Sequence, residues 1–242
     1  MKEQRFFYVP DAAHTMMLPA EEAAHAVRVL RLHEGDEVFL LDGVGAVHRA
    51  NLVAASQKQC VYSITETLTP LRTWRGHVTL AIAPTKMMDR MEWLAEKATE
   101  IGFDALVPLL CHWSERRQLR TDRLDKIVVG AMKQSRKAWK PRVDDMTAFR
   151  QFIAACQTGY RFIAHCHDGC ERNDLFQLLT QIPQTEQPEV TILIGPEGDF
   201  SLEEVQMAVE AGFIPVSLGS SRLRTETAGL AAVMMANLAL RI

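Results

Sequence analysis

Two glycine-rich segments near the end of the chain carry residue types suited to holding a ligand through the backbone. They span residues 191–201 and 216–228, with the sequences Thr-Ile-Leu-Ile-Gly-Pro-Glu-Gly-Asp-Phe-Ser and Val-Ser-Leu-Gly-Ser-Ser-Arg-Leu-Arg-Thr-Glu-Thr-Ala. Each pattern predicts an apolar strand, a tight loop and a helix start, and ligands bind at the carboxyl ends of parallel strands. Because glycine lacks Cβ, backbone groups at Gly195, Gly198 and Gly219 can approach a ligand closely. We therefore predict a binding site at these loops.

The residues after the two loops predict where two helices begin. Ser201 followed by Glu204 is a capping-box pattern, which places one helix start just past Phe200. Thr225 is expected to cap the apolar run from Ala228 to Leu240. Both loops would then lie between a strand and a helix, as a site at a sheet edge requires.

Strand and helix patterns alternate after residue 76. Predicted strands span residues 77–83, 105–110, 161–165, 190–194 and 215–218, and predicted helices span 87–101, 122–137, 148–157, 175–181, 202–211 and 228–241. Such alternation indicates an α/β fold in which helices cover both faces of a parallel sheet. Gly102 is expected to end the helix over 87–101.

Residues 1 to about 70 are predicted to be β-rich. Strand-like runs span residues 37–43, 47–54 and 59–65, and Asp42-Gly43 is a hairpin signal. One amphipathic helix is expected over 20–32. Short strands with a single helix favour a small barrel, joined by a linker over 68–75 to the rest of the chain.

Composition places the chain among ordinary globular proteins. Of its 242 residues 48% are hydrophobic and 24% are charged, and no apolar run approaches the length needed to cross a bilayer. The first residues lack the apolar core of a signal peptide, and five cysteines without framework spacing fit free thiols in a reducing compartment. We expect a cytoplasmic protein without a membrane partner.

Positive charge is concentrated in one segment. The net charge is −3, yet residues 115–142 carry ten basic and three acidic side chains. A basic stripe on an acidic body is expected where phosphate is contacted, although a solvated helix face would give the same pattern. Trp113 and Trp139 bracket the segment, and each either stacks on a base or belongs to the core.

Several other chemistries lack their motifs. No phosphate-binding Gly-x-x-x-x-Gly-Lys-Ser/Thr loop is present, and no Gly-x-Gly-x-x-Gly follows a strand. The run His165–Cys170 offers four potential ligands within six residues, which cannot easily surround one tetrahedral ion, so no metal is predicted. We expect this run to be a third loop at a strand end that borders the same pocket, with Asp168 and Gly169 shaping its turn.

The two glycine-rich segments resemble the signatures of a known family. Gly195–Ser201 and Leu218–Ala228 are similar to motifs of the ribosomal RNA small subunit methyltransferase E family, within the SPOUT superfamily. The resemblance extends to Arg90–Leu94, Lys97–Gly102 and His25–Leu32, so it covers nearly the whole chain. One departure is the run over 133–140, which lacks the glycine usual in the family.

The resemblance implies a fold, a reaction and partners. It implies a PUA-like β-barrel over residues 1–70 and a SPOUT domain with a deep trefoil knot over 76–242. It implies S-adenosylmethionine as methyl donor and methylation of N3 of uridine 1498 in 16S rRNA of the small ribosomal subunit. A homodimer is implied, in which each active site borrows residues from the other subunit, and no DNA partner.

Site residues follow where the motifs match. The residues expected to hold the donor are Gly195, Pro196, Gly198, Leu218, Gly219, Leu223, Thr225 and Ala228. Arg224 is expected to face the uracil oxygens or the donor carboxylate, with Glu197 or Glu226 accepting the N3 proton, unless a cation stabilises the uracil anion and solvent takes the proton. The residues expected to contact RNA are Arg116, Arg117, Lys133 and Arg136.

Alternatives remain for several of these roles. Arg222 or Arg224 could pair with a structural carboxylate, and Glu226 could simply favour the first turn of its helix. The C-terminal helix could supply a dimer interface through Leu230, Val233, Met234 and Leu238, or pack within its own chain. The barrel could bind RNA or only stabilise the chain. Other functions consistent with these patterns are ribose 2′-O-methylation and non-catalytic RNA binding in assembly.

Overall fold

A computed structural model describes residues 4–56, 58–167 and 169–242. The chain forms two compact units. The N-terminal unit comprises the residues up to Leu71 together with Val129–Lys140, and the C-terminal unit comprises Arg72–Val128 and Pro141–Ile242. Asp168, for which a role in a turn was predicted, lies outside the described residues.

The secondary-structure elements are numbered in chain order. The strands are β1 (Phe6–Tyr8), β2 (Glu37–Leu41), β3 (Val47–Ala55), β4 (Cys60–Leu68), β5 (His77–Ile82), β6 (Ala105–Leu110), β7 (Arg142–Val143), β8 (Thr147–Ala148), β9 (Tyr160–Ala164), β10 (Asn173–Asp174), β11 (Glu189–Ile194) and β12 (Ile214–Ser217). The helices are α1 (Ala20–Ala24), continued by a π-helical turn (His25–Val29), α2 (Met88–Ile101), α3 (Thr121–Gln134), α4 (Phe149–Ala155), α5 (Leu175–Thr180), α6 (Leu202–Glu210) and α7 (Thr225–Ala239).

The N-terminal unit is built on a four-stranded sheet in the order β1-β2-β3-β4. Strand β1 pairs parallel to β2, whereas β2, β3 and β4 pair antiparallel. The predicted hairpin at Asp42-Gly43 is confirmed, because β2 and β3 are joined there and Asp42 Oδ1 accepts hydrogen bonds from the backbone N–H groups of Val44, Gly45 and Ala46. The side chains of Phe7, Leu40 and Tyr62 are buried in its core.

The single helix predicted over 20–32 was wrong in its type and its end. An α-helix covers only Ala20–Ala24, a π-helical turn follows, and the helix stops at Val29. Arg31 has a φ of 52°, in the left-handed region, so the backbone cannot continue the helix past this point. Amphipathic periodicity alone does not reveal such a change of winding.

The C-terminal unit contains an eight-stranded sheet in the order β10-β12-β9-β11-β5-β6-β7, with β8 beside β6. Its strand pairs are parallel, which confirms the predicted α/β class. Helix α2 ends at Ile101 and Gly102 has a φ of 118°, as predicted. Strands β7, β8 and β10 were not predicted, because two residues carry no measurable alternation.

Apolar side chains on both faces of this sheet are buried. Leu80 and Ile82 of β5 pack with α2 and α7 on one face, whereas Ala81 and Ala83 pack with the cluster of α4 and α6 on the other. Successive side chains of a strand point to opposite faces, so β5 serves both clusters. Helices therefore cover the sheet on both sides, as the alternating pattern predicts. None of the helices in the described ranges is long and apolar enough to span a bilayer.

The helices after the two glycine-rich loops begin at different kinds of cap. The capping box is confirmed, because Ser201 Oγ accepts a hydrogen bond from Glu204 N at 3.2 Å and Glu204 Oε2 accepts one from Ser201 N at 2.9 Å. The predicted cap at Thr225 was wrong. Helix α7 already includes Thr225, its N-cap is Arg224, and the side chain of Arg224 makes no capping hydrogen bond. The Thr-Glu-Thr turn is thus helical and places Glu226 in the first turn.

Helix α7 has both a buried and an exposed apolar face. Val233 is fully buried in the core and Leu230 packs against that core. Met234 and Leu238 are 41% and 43% exposed. The intrachain packing considered for this helix is therefore present, and a second apolar face is left uncovered within the chain.

Candidate functional site

Three neighbouring strands of the parallel sheet end at one cavity of about 1130 Å³. Strand β9 lies between β11 and β12, so the loops after these three strands meet at the same edge. The cavity is bordered by every residue that was expected to hold a donor, namely Gly195, Pro196, Gly198, Leu218, Gly219, Leu223, Thr225 and Ala228. It is also bordered by His165, Cys166 and His167 of the loop after β9.

The loop after β11 is a tight turn fastened to the loop after β9. A Cβ at Gly195 would lie 3.0 Å from the backbone N of Phe200, so only glycine fits there without displacing the turn. Asp199 N donates to Pro196 O at 2.9 Å, and Asp199 Oδ2 accepts a hydrogen bond from Cys166 N at 2.7 Å. The two loops are therefore held together by the carboxylate of Asp199.

The loop after β12 turns at Gly219, whose φ of 118° favours glycine. Ser217 Oγ fixes this turn, because it accepts from Gly219 N at 3.2 Å and donates to Gly219 O at 3.0 Å. A Cβ at Gly219 would meet nothing within 4 Å, so the requirement here is backbone conformation. Apolar side chains of Leu218 and Leu223 border the cavity beside it.

Arg224 is an exposed residue on the cavity wall. In the described part of the chain its guanidinium makes no hydrogen bond and no ion pair, and the same holds for Arg222. The pairing with a structural carboxylate considered from the sequence is therefore not observed. An unpaired guanidinium beside a cavity can bind the oxygen atoms of a ligand.

The two candidate carboxylates occupy different environments. Glu197 is exposed on the cavity wall, and its Oε1 accepts a hydrogen bond from Lys86 N at 2.9 Å. Glu226 is buried, and its Oε1 lies 3.7 Å from Nε of Arg90. Arg90 borders the cavity, whereas Glu226 is not among its wall residues. Arg90 was not assigned a role from sequence, because only the fold brings it to α7.

His165 is a buried histidine on the wall of the cavity. Neither of its ring nitrogens has a hydrogen-bond partner within the residues described. Burial lowers the pKa of His165, nearby His167 and Arg172 lower it further, and only Asp199 opposes this shift. His165 is therefore neutral near pH 7, unlike a histidine held by a carboxylate.

The burial of His165 predicts that stability falls on acidification. In the unfolded chain this ring binds a proton below about pH 6.5, whereas the folded state resists protonation. The unfolded state therefore binds more protons in this range, and the free energy of unfolding decreases as the pH falls. We expect His165→Phe to weaken this dependence and to keep the stability at about pH 7.5, because no hydrogen bond is lost. Urea unfolding at about pH 7.5 and 5.5 measures both effects.

A second buried histidine provides the control. His48 Nδ1 lies 2.9 Å from Thr67 Oγ1, so His48→Phe removes a hydrogen bond and is expected to lower stability at both pH values. An unchanged pH dependence in His165→Phe would show that His165 is not protonated during acid unfolding.

The residues expected to contact RNA fall into both units. Arg116 donates from Nε to Thr85 O at 3.1 Å and from Nη2 to Lys86 O, and Arg117 borders a second cavity of about 600 Å³. Lys133 Nζ lies 2.6 Å from Glu22 Oε1, and Arg136 donates to Gln4 Oε1 at 3.0 Å. Other cations of this segment pair with carboxylates too, including Arg120 with Asp122 and Arg123 with Glu92. Much of the local positive charge is therefore compensated.

The two tryptophans that bracket the basic segment differ in environment. Trp139 packs against the apolar cluster of Phe39, Leu41 and Met132 in the N-terminal unit. Trp113 is 56% exposed in the C-terminal unit. Trp139 therefore has a packing role, whereas Trp113 does not.

Within the described ranges no group of three or more His, Cys, Asp or Glu side chains is placed to hold a metal ion. The run at 165–170 instead contributes two exposed thiols, Cys166 and Cys170. His167 Nε2 donates to the carbonyl of Phe200 at 2.8 Å. This loop is thus tied to the turn after β11 by both Asp199 and His167.

Two family profiles match the chain. The RNA methyltransferase domain matches residues 72–237, and the RNA methyltransferase PUA domain matches residues 18–64. Together they define the class of the protein as an RNA methyltransferase with a PUA domain.

Individual relatives narrow this class. Ribosomal RNA small subunit methyltransferase E of Synechocystis is 32% identical over 226 residues, covering 92% of this chain and 73% of the relative, and that of Bacillus subtilis is 26% identical over 232 residues, covering 92% and 90%. A probable rRNA-methyltransferase from Porphyromonas gingivalis is 42% identical with a TM-score of 0.88 and 98% of both chains covered. The ribosomal RNA small subunit methyltransferase E from Neisseria gonorrhoeae, bound to S-adenosyl methionine, is 28% identical with a TM-score of 0.83, covering 96% and 95%. The chain belongs to the ribosomal RNA small subunit methyltransferase E family.

Proposed function

We propose that this protein uses S-adenosylmethionine to methylate N3 of uridine 1498 in 16S rRNA of the small ribosomal subunit. One observation carries the proposal. The loops after three adjacent strands of a parallel sheet border a single cavity, and the family motifs supply two of those loops. The relative from Neisseria gonorrhoeae, which has the same fold, binds this donor.

The cavity fits an adenosyl sulfonium in chemistry and in size. Ligand cavities span about 300–1,000 Å³, so this cavity can hold the donor and leave space beside it. Leu218, Leu223 and Ala228 provide apolar surface for a ring. Gly195 and Gly219 keep the two loops free of side chains where the backbone turns. Such walls suit a ligand held largely by main-chain groups and apolar contacts.

The residues of this chain must orient the base and accept the proton of uracil N3. When bound, the donor supplies an activated methyl group, and alignment of the reactants supplies much of the acceleration. Uracil N3 must lose its proton before its lone pair can attack. We assign Arg224 to the uracil oxygens, where its guanidinium, which makes no ion pair within the described residues, stabilises the anion. We assign Glu197 to the proton, because it is an exposed carboxylate residue on the cavity wall. For Glu226 we propose a positioning role through Arg90.

The remaining features of the proposal concern architecture. We propose that residues 76–242 form a SPOUT domain with a deep trefoil knot. Two observations support this, the parallel strand order β12-β9-β11-β5 and the single cavity that both motif loops border. We propose a PUA-like β-barrel over residues 1–70, supported by the four-stranded sheet and the PUA match.

The exposed apolar residues Met234 and Leu238 support a homodimer through α7. The protein is proposed to work in the cytoplasm, where ribosomal subunits are.

RNA contact is proposed for Arg116, Arg117, Lys133 and Arg136. Arg116, Lys133 and Arg136 already contact carbonyl or carboxylate oxygens within the chain, so phosphate must compete for them. Arg117, beside the second cavity, is the member of this set for which no such contact is observed in the described ranges. Affinity for the subunit is expected to fall with salt.

The test is methylation of small subunits from a strain that lacks this modification. We expect methyl transfer from S-adenosylmethionine, and 3-methyluridine as the new nucleoside by mass spectrometry. A 2′-O-methylated nucleoside would instead establish the ribose reaction. Absence of both transfer and donor binding, the latter measured by calorimetry, would indicate a non-catalytic assembly factor.

A further inference from the structure

Trp113 is a large apolar side chain held in an exposed position by a hydrogen-bonded loop. It follows the carboxyl end of β6 and is 56% exposed. The loop around it is closed, because Ser114 Oγ accepts a hydrogen bond from Cys111 N at 3.0 Å and Glu204 Oε1 accepts one from His112 N at 2.8 Å. The His112 ring lies edge-on to the indole, with 4.3 Å between the ring centroids. The indole is thus fixed without being covered.

This loop adjoins the wall of the donor cavity. A Cβ at Gly198 would lie 3.4 Å from Cβ of Trp113, and Gly198 borders the cavity. Trp113 therefore lies against the motif loop at Gly198. Further ties join the same loops, because Lys86 Nζ lies 2.9 Å from Glu115 Oε2 while Lys86 N donates to Glu197. The indole therefore belongs to the same connected set of loops as the proposed proton acceptor.

A second cavity is bordered by both the tryptophan and a cationic residue. The cavity of about 600 Å³ is bordered by His112, Trp113 and Arg117. An aromatic face next to a guanidinium is the arrangement with which proteins hold unpaired nucleotides, because the ring stacks on the base and the cation meets the phosphate. Neither group is needed to pack the core of the unit.

We propose that Trp113 is a positioning residue that stacks on an unpaired base of the RNA substrate beside the donor cavity, with Arg117 meeting the adjoining phosphate. The inference rests on the proposed function. A uridine attacked at N3 must be unpaired, so its strand loses stacking there and gains from a replacement surface. Stacking on an aromatic side chain is tolerant of base identity, so Trp113 would contribute affinity while the cavity selects the base.

The experiment compares Trp113→Ala and Trp113→Phe in methylation of unmodified small subunits. We expect KM for the subunit to rise about 5- to 150-fold in Trp113→Ala, and Trp113→Phe to recover most of this loss. The dissociation constant of S-adenosylmethionine, measured by calorimetry, is expected to stay unchanged. Wild-type indole fluorescence should be quenched by an RNA oligonucleotide carrying the target, and Trp113→Phe should lose that component.

Trp93→Ala is the matched control, because Trp93 is 43% exposed on α2 and borders neither cavity. Its KM is expected to equal that of the wild type. An unchanged KM in Trp113→Ala, or a loss that phenylalanine does not recover, would overturn the stacking role. The stacking role would also be overturned if Trp113→Ala lost self-association in sedimentation and kept its KM, because the indole would then be a contact between copies of the chain. If the wild type itself transfers no methyl group, the proposed function fails instead.

Discussion

Replacing Arg224 with alanine is expected to lower kcat for rRNA methylation by about 100- to 1,000-fold, the loss typical of removing a group that stabilises developing charge. The guanidinium borders the cavity and has no partner within the described ranges, so no ion pair has to be broken to use it. Its removal takes away the cation that we assign to the uracil anion. Methyl transfer to unmodified small subunits, followed at saturating donor, measures the effect.

The affinity of Arg224→Ala for the donor distinguishes the two groups that Arg224 was expected to face, the uracil oxygens and the donor carboxylate. If it faces the uracil, the dissociation constant of S-adenosylmethionine in Arg224→Ala stays within about threefold of the wild type. If it holds the donor carboxylate, that constant rises together with the loss of rate. Arg222→Ala is the control, since Arg222 also borders the cavity and is unpaired within the described residues. Wild-type turnover by Arg224→Ala would remove Arg224 from the mechanism.

The pH dependence of kcat tests the role of Arg224 independently. A cation beside the uracil lowers the pKa of N3 in the bound state, so its loss should move the rise of kcat towards higher pH. A variant with a lower kcat and an unshifted profile would point to misalignment of the base. Arg224→Lys, which keeps the charge without the planar fork, is expected to fall between the wild type and alanine.

The sequence was sufficient for the features that depend on local pattern. Five parallel strands, the capping box at Ser201 and the stop at Gly102 all follow from periodicity or from one residue type with a fixed geometric use. The two motif loops were also predicted to form a site, because carboxyl ends of parallel strands converge. Their placement beside one cavity follows from the strand order β12-β9-β11, which the structure supplies.

Features that depend on long-range packing were not predictable in this way. Arg90 reaches the cavity because α2 packs on α7, and Glu226 sits behind it for the same reason. The basic segment over 115–142 looked like a uniform stripe, but two of its cations pair with carboxylates far along the chain, Arg123 with Glu92 and Lys133 with Glu22. Local pattern cannot show such pairing, since the partners are distant along the chain.

Asp104 is a second residue whose importance only the structure reveals, and its replacement has the largest effect that we expect on stability. Its side chain is 4% exposed, and Oδ1 lies 2.8 Å from Nη2 of Arg72. Its Oδ2 accepts hydrogen bonds from Trp74 Nε1 at 3.0 Å and from Val78 N at 2.8 Å. The Asp104 carboxylate therefore accepts from a guanidinium, from an indole N–H and from a backbone N–H of β5.

Asp104→Ala is expected to lower the free energy of unfolding of the C-terminal unit by about 2–5 kcal/mol, because the N–H groups of Trp74 and Val78 lose this buried acceptor and the half-buried Arg72 loses one of its partners. Asp104→Asn, which keeps one oxygen, should lose less. Urea unfolding measures both, with Glu96→Ala as a control whose carboxylate pairs with Lys97 on the surface and whose loss should change little. A loss in Asp104→Ala no larger than in the control would mean that the desolvation of this carboxylate cancels all three of its contacts.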